Sequence, residues 1–135
     1  MTAKARILVV DDERGMCEFL RFLLQEEGYE VDVAHRGEEA LEKVRESRFD
    51  LILADIKMPG LDGLEMLRKL RDAEKDTVVI VMTGYSSLDS AIKAIKYDAS
   101  DYLTKPFDDP DAVLAAVERG LGGGGGGGPL APETL

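Results

Sequence analysis

Ile7-Leu8-Val9-Val10 runs without interruption into Asp11-Asp12-Glu13. A continuous apolar run of this length suits a strand buried on both faces, and the abrupt change to carboxylates marks its carboxyl end. The pattern recurs. Leu51-Ile52-Leu53-Ala54 is followed by Asp55, and Val78-Val79-Ile80-Val81-Met82 by Thr83. Residues 29–34 alternate Val31 and Val33 with acidic side chains, which predicts a strand nearer a sheet edge. Residues 101–104 form a short fifth candidate.

Helical spacing fills the intervals. Met16, Phe19, Leu20, Leu23 and Leu24 recur at i, i+3 and i+4, and Gly28 is placed to end that helix. Ala40, Leu41 and Val44 repeat the pattern, as do Leu64, Leu67 and Leu70, and then Ala91, Ile92 and Ile95. The last helix is expected to start with Asp109 as N-cap and Pro110 at its first position, with Val113, Leu114, Val117 and Leu121 on its apolar face. Strand and helix thus alternate five times. This predicts an α/β fold, a doubly wound five-stranded parallel sheet with right-handed crossovers. The favoured flavodoxin-like order is 2-1-3-4-5, with the binding crevice where strands 1 and 3 diverge.

The composition fits one such domain. The chain has 135 residues, too few for a (β/α)8 barrel, and 44% of them are hydrophobic, enough for a core. A formal net charge of -10 argues against non-specific nucleic-acid binding, which needs basic patches. A single cysteine, Cys17, excludes an internal disulfide framework. Apolar runs fall well short of the roughly 20 residues of a membrane span, and no signal-peptide core opens the chain. A cytoplasmic setting is the expectation. Of 14 glycines, seven fill residues 122–128. Such a run cannot bury apolar surface, so the domain is expected to span residues 1–121, with a flexible Gly-rich linker or tail over 122–135.

Five polar residues fall at predicted strand ends: Asp11 and Asp12 after strand 1, Asp55 after strand 3, Thr83 after strand 4 and Lys105 after strand 5. Taken singly, each has a bland reading. Asp12 suits a helix N-cap, Thr83 another cap, and Lys105 a solvated surface lysine. Taken together in the 2-1-3-4-5 order, the three carboxylates converge in one crevice. They would repel one another, and Lys105 alone leaves a deficit of positive charge. Oxygen-only ligands suit a hard divalent cation, Mg²⁺ or Mn²⁺. Such an ion can hold phosphate oxygens, and a carboxylate can attack phosphorus to give an acyl phosphate. Asp55, alone after its strand, is the better nucleophile. Asp11 and Asp12 are better placed as metal ligands, and Lys57 could offer its backbone carbonyl.

The motifs Val9-Val10-Asp11-Asp12-Glu13, Asp55-Ile56-Lys57-Met58-Pro59-Gly60-Leu61-Asp62-Gly63, Met82-Thr83-Gly84 and Asp101-Tyr102-Leu103-Thr104-Lys105-Pro106-Phe107 resemble the response-regulator receiver domain of two-component signalling. The resemblance spans about residues 5–121. It implies that Asp55 is the phosphoacceptor, that Asp12 and Asp11 are acidic Mg²⁺ ligands, and that Lys57 gives the metal a carbonyl. It implies that Thr83 and Tyr102 form the switch, and that Lys105 pairs with phosphate oxygens. The implied partner is a sensor histidine kinase, with a possible homodimer through the face formed by the fourth helix, fifth strand and fifth helix. Ile92, Lys93, Lys96, Tyr97 and Tyr102 are the candidates there. Residues 82–107 resemble the nitrogen-regulation class of transcriptional activators, whose output domains are absent from this sequence. On this reading the domain catalyses only its own phosphotransfer and dephosphorylation, and contacts neither nucleic acid nor membrane. Lys57 and Tyr85 depart from the chemotaxis regulators at positions that tune dephosphorylation.

Three other readings compete. A haloacid-dehalogenase-like phosphatase wants a second Asp two residues after the nucleophile, but Ile56-Lys57 follow Asp55 and Asp12-Glu13 follow Asp11. A flavin or nucleotide module wants a Gly- or hydroxyl-rich loop after strand 1, where this chain has acidic residues. A purely protein-binding pseudo-receiver would need a defect that the motifs do not show. His35 is expected at the surface, and Cys17 off the main apolar face of the first helix.

Overall fold

The computed structural model describes residues 5–55, 68–69, 77–83, 101–104 and 110–122. In chain order these form β1 (Arg6–Val10), α1 (Arg14–Glu26), β2 (Glu30–Ala34), α2 (Gly37–Glu46), β3 (Leu51–Asp55), β4 (Val78–Thr83), β5 (Asp101–Thr104) and α3 (Pro110–Gly122). The five strands make one sheet in the order β2-β1-β3-β4-β5, and each neighbouring pair is parallel. This is the order expected from the sequence. The expected third and fourth helices, and the face built on the fourth, lie outside the described residues apart from the helical pair Arg68 and Lys69.

Alternation along each strand sorts the core into two layers. Leu8, Val10, Ile52, Ala54, Val79 and Val81 pack with Ala40, Val44 and Phe49. Ile7, Val9, Leu51, Leu53, Ile80 and Met82 pack with Cys17, Leu20 and Leu24 of α1 and with Val113, Ala116 and Val117 of α3. So α2 covers one face while α1 and α3 cover the other, the doubly wound arrangement. Burial on both faces is why β1 and β3 read as unbroken apolar runs.

The first helix turns slightly from its expected face. Cys17 is completely buried and Phe19 is 40% exposed, the reverse of the sequence expectation. Cys17, Leu20 and Leu24 follow an i, i+3, i+7 stripe, and this stripe faces the sheet. The helix ends as predicted. Gly28 adopts φ 94°, a conformation open to glycine. Its N–H donates to the Gln25 carbonyl at 3.0 Å and the Tyr29 N–H to the Leu24 carbonyl at 3.2 Å. These are the two bonds of a Schellman cap, and Tyr29 and Leu24 share the core below it.

Asp50 fixes the register at the amino edge. Its N–H donates to the Arg6 carbonyl and its Oδ2 accepts from the Arg6 N–H, both at 2.8 Å. Its carbonyl accepts from the Val78 N–H at 3.2 Å. One residue thereby ties the starts of β1, β3 and β4. At this same amino edge, the last turn of α3 lies close to the sheet. A Cβ on Gly120 would meet Val78 Cγ1 at 2.9 Å and Leu51 Cδ1 at 3.2 Å. The helix also includes Gly122, one residue past the boundary expected at Leu121. Helix ends commonly shift by a residue where glycine weakly opposes the last turn. Residues 123–135 lie outside the described residues.

Two stability changes follow. Gly120→Val should destabilise the fold by about 1–3 kcal/mol, because the branched side chain must displace packed strand residues. Asp50→Ala should cost about 1 kcal/mol, by removing the acceptor of the Arg6 N–H. Urea unfolding of each variant checks both.

Candidate metal centre

The strand pairing builds the site. Val10 of β1 lies opposite Ala54 of β3, so Asp11 and Asp55 fall on the next rung at the carboxyl edge. The ladder continues on the other side, where the Asp11 N–H donates to the Ala34 carbonyl of β2 at 3.0 Å. Asp55 in turn lies opposite Met82 of β4. One carboxylate oxygen from each of Asp11, Asp12 and Asp55 lies within 4.8 Å of the others. Asp11 is fully buried and Asp55 nearly so, whereas Asp12 is exposed.

The start of α1 separates the cap reading of Asp12 from the ligand reading. The N-cap is Glu13, and it makes no side-chain cap bond. The local turn is instead held by Asp11, whose Oδ1 accepts from the Glu13 N–H at 3.0 Å. An Asp side chain bonded two residues ahead stabilises such a turn. Asp12 therefore follows β1 without capping the helix. Its carboxylate belongs to the acidic group.

That group is electrostatically costly. Two buried unit charges like Asp11 and Asp55 at this separation repel by about 3 kcal/mol at an effective dielectric near 20. A cation between them turns the repulsion into attraction. The donor set is entirely oxygen, part buried and part open to solvent, which fits Mg²⁺ or Mn²⁺ with some ligand positions left for water or phosphate oxygens. The three residues present thus fit the metal expected from the sequence.

The remaining expected residues are placed unevenly. Thr83 ends β4, one rung beyond the Asp55 and Met82 pair, and Tyr102 of β5 lies opposite Val81. Their strands bring both to the same half of the sheet. Lys57 and Lys105 lie outside the described residues. Two neighbours of the site were not expected. The Asp11 carbonyl oxygen lies 3.2 Å from Cys17 Sγ and 3.2 Å from His35 Nδ1. His35 is half-buried, not a surface residue. The i, i+3, i+7 stripe through Cys17 was the available signal. A lone histidine after a strand carried none.

Residues 7–118 match the family described as the response regulator receiver domain. The transcriptional regulatory protein ZraR of Klebsiella oxytoca is 49% identical over 102 residues, which cover 76% of this chain and 23% of that protein. The response regulator MprA of Mycobacterium ulcerans is 45% identical over 102 residues, covering 76% of this chain and 44% of that one. This chain therefore spans less than half the length of either relative. Among solved structures, NtrX from Brucella abortus in complex with ATP aligns with a TM-score of 0.84 at 31% identity, over 88% of this chain and 27% of that one. The response regulator TrrA from Thermotoga maritima, in complex with Mg²⁺-BeF, aligns at 0.77 with 43% identity, over 85% and 97%. A sheet in the order 2-1-3-4-5, an acidic trio at its carboxyl edge and a family match across most of the chain lead to one conclusion: this chain belongs to the response regulator receiver domain family.

Proposed function

We propose that Asp55 accepts a phosphoryl group from the phosphohistidine of a sensor histidine kinase, with Mg²⁺ or Mn²⁺ held by Asp11, Asp12 and Asp55. The observation that carries this reading is the convergence of the three carboxylates within 4.8 Å at the ends of β1 and β3. The family match and the Mg²⁺-BeF complex of TrrA support the metal. In the transfer, an Asp55 oxygen attacks phosphorus as the bond from phosphorus to the donor's imidazole nitrogen breaks. The imidazole leaves with the bonding pair and takes up a proton. The metal, when bound, neutralises charge on the phosphoryl oxygens.

The chain's own residues do the rest. Asp11 and Asp12 hold the cation side of the pocket, and the Lys57 carbonyl completes it. Lys105 pairs with a phosphoryl oxygen. Thr83 donates its hydroxyl to another, and Tyr102 follows into the space it leaves. Phosphorylation adds charge and acceptor oxygens at one spot, so it biases two packings of the same fold. The face of the fourth helix, β5 and α3 carries the change, by homodimerisation, to an output domain. ZraR is named a transcriptional regulatory protein and NtrX was solved with ATP, which favours an ATP-dependent transcriptional output. The domain turns over no other substrate. The proposed setting is cytoplasmic, where sensor kinases transfer phosphoryl groups; none of the helices among the described residues is long and apolar enough to cross a membrane.

Treatment with a small phosphodonor and Mg²⁺ should add one phosphoryl mass to the protein. Asp55→Asn should abolish that gain, and full labelling of this variant would sink the assignment. Asp12→Ala should weaken Mg²⁺ binding by about tenfold or more, as read by calorimetric titration. Unchanged affinity would remove Asp12 from the site.

A further inference from the structure

The Asp11 main chain is held from two sides by groups that the phosphoacceptor reading does not use. Its carbonyl oxygen lies 3.2 Å from Cys17 Sγ of α1 and 3.2 Å from His35 Nδ1, just after β2. A carbonyl oxygen only accepts, so Nδ1 must carry the proton there, and the thiol must donate as well. The 3.6 Å approach of Cys17 Sγ to His35 Nδ1 is then a contact between two donors that share one acceptor. His35 is itself anchored, because its N–H donates to Glu39 Oε1 in the first turn of α2 at 2.8 Å.

We propose that His35 is a positioning residue for the acidic pocket: its Nδ1–H, bonded to the Asp11 carbonyl, orients the peptide that leads into Asp12. The peptide plane is rigid, so the direction of the Asp11 carbonyl sets the direction in which the Asp12 N–H and Cα leave β1. Asp12 is exposed and no cap holds its carboxylate. Orientation of its backbone is therefore the means by which the fold can aim it. Asp11 needs less help, since burial, the β2 ladder and the Glu13 turn already fix it. Outer groups that orient ligands commonly matter to metal affinity nearly as much as the ligands do. Through His35 the start of α2 and the end of β2 become part of the pocket's support.

This inference rests on reading Asp11, Asp12 and Asp55 as a Mg²⁺ site. The test compares the wild-type chain with His35→Leu, which keeps bulk but removes the donor, and His35→Asn, whose side-chain amide can replace Nδ1–H. Mg²⁺ affinity is read by calorimetry. The Asp12 amide nitrogen resonance, which responds to hydrogen bonding at the preceding carbonyl, is read in metal-free protein. His35→Leu should weaken Mg²⁺ binding by about three- to tenfold and shift the Asp12 resonance. His35→Asn should restore both towards wild type. Equal Mg²⁺ affinity in His35→Leu and wild type would overturn the proposal. So would a loss in His35→Asn as large as that in His35→Leu, because bulk rather than the hydrogen bond would then be responsible. A wild-type protein that binds no Mg²⁺ would instead remove the metal-site reading, and this proposal with it.

Discussion

The site depends on the register between β1 and β3. Val10 opposite Ala54 puts Asp11 and Asp55 on one rung, and every later property of the pocket follows from that pairing. A slip of one residue would turn Asp55 to the opposite face and push Leu51 and Leu53 out of their layer. Two sets of contacts oppose the slip. The apolar residues of β1 and β3 alternate between two filled layers, so neither strand can shift without exposing both. At the far edge Asp50 ties Arg6 and Val78 through three hydrogen bonds. The carboxylates are thus forced together from a distance, by packing at one end and polar pairing at the other.

Such a cluster works against folding unless something offsets it. Three carboxylates with two buried members repel one another, and a divalent cation held among them would offset that cost. The strand ends of β4 and β5, carrying Thr83 and Tyr102, lie on the rungs next to Asp55.

Much of this was legible in the chain. Unbroken apolar runs ending in Asp11, Asp55 and Thr83 announced buried parallel strands, and the terminal carboxylates announced the edge that binds ligands. Gly28 marked the end of α1 because its left-handed conformation is open to glycine. The strand order was a preference for the fold rather than a property of any residue, and the pairings establish it. The face of α1 was misread by part of a turn. Phe19 looked like core because it is large and apolar, but the stripe through Cys17, Leu20 and Leu24 faces the sheet and leaves Phe19 40% exposed. His35 was illegible for a different reason. Its partner is a backbone carbonyl 24 residues away, and no side-chain pattern reports such a bond. Local periodicity reveals faces and ends, whereas polar contacts between elements emerge only from the packing.

The most direct measurement is residue-level mapping of the acyl phosphate in the wild-type chain. The protein is treated with a small phosphodonor in Mg²⁺ or in chelator, the acyl phosphate is reduced with borohydride, and the peptides are sequenced by mass spectrometry. The account predicts a modified carboxyl at Asp55 in Mg²⁺ and none in chelator. Modification at another carboxylate, or equal modification of Asp55 without the metal, would contradict it.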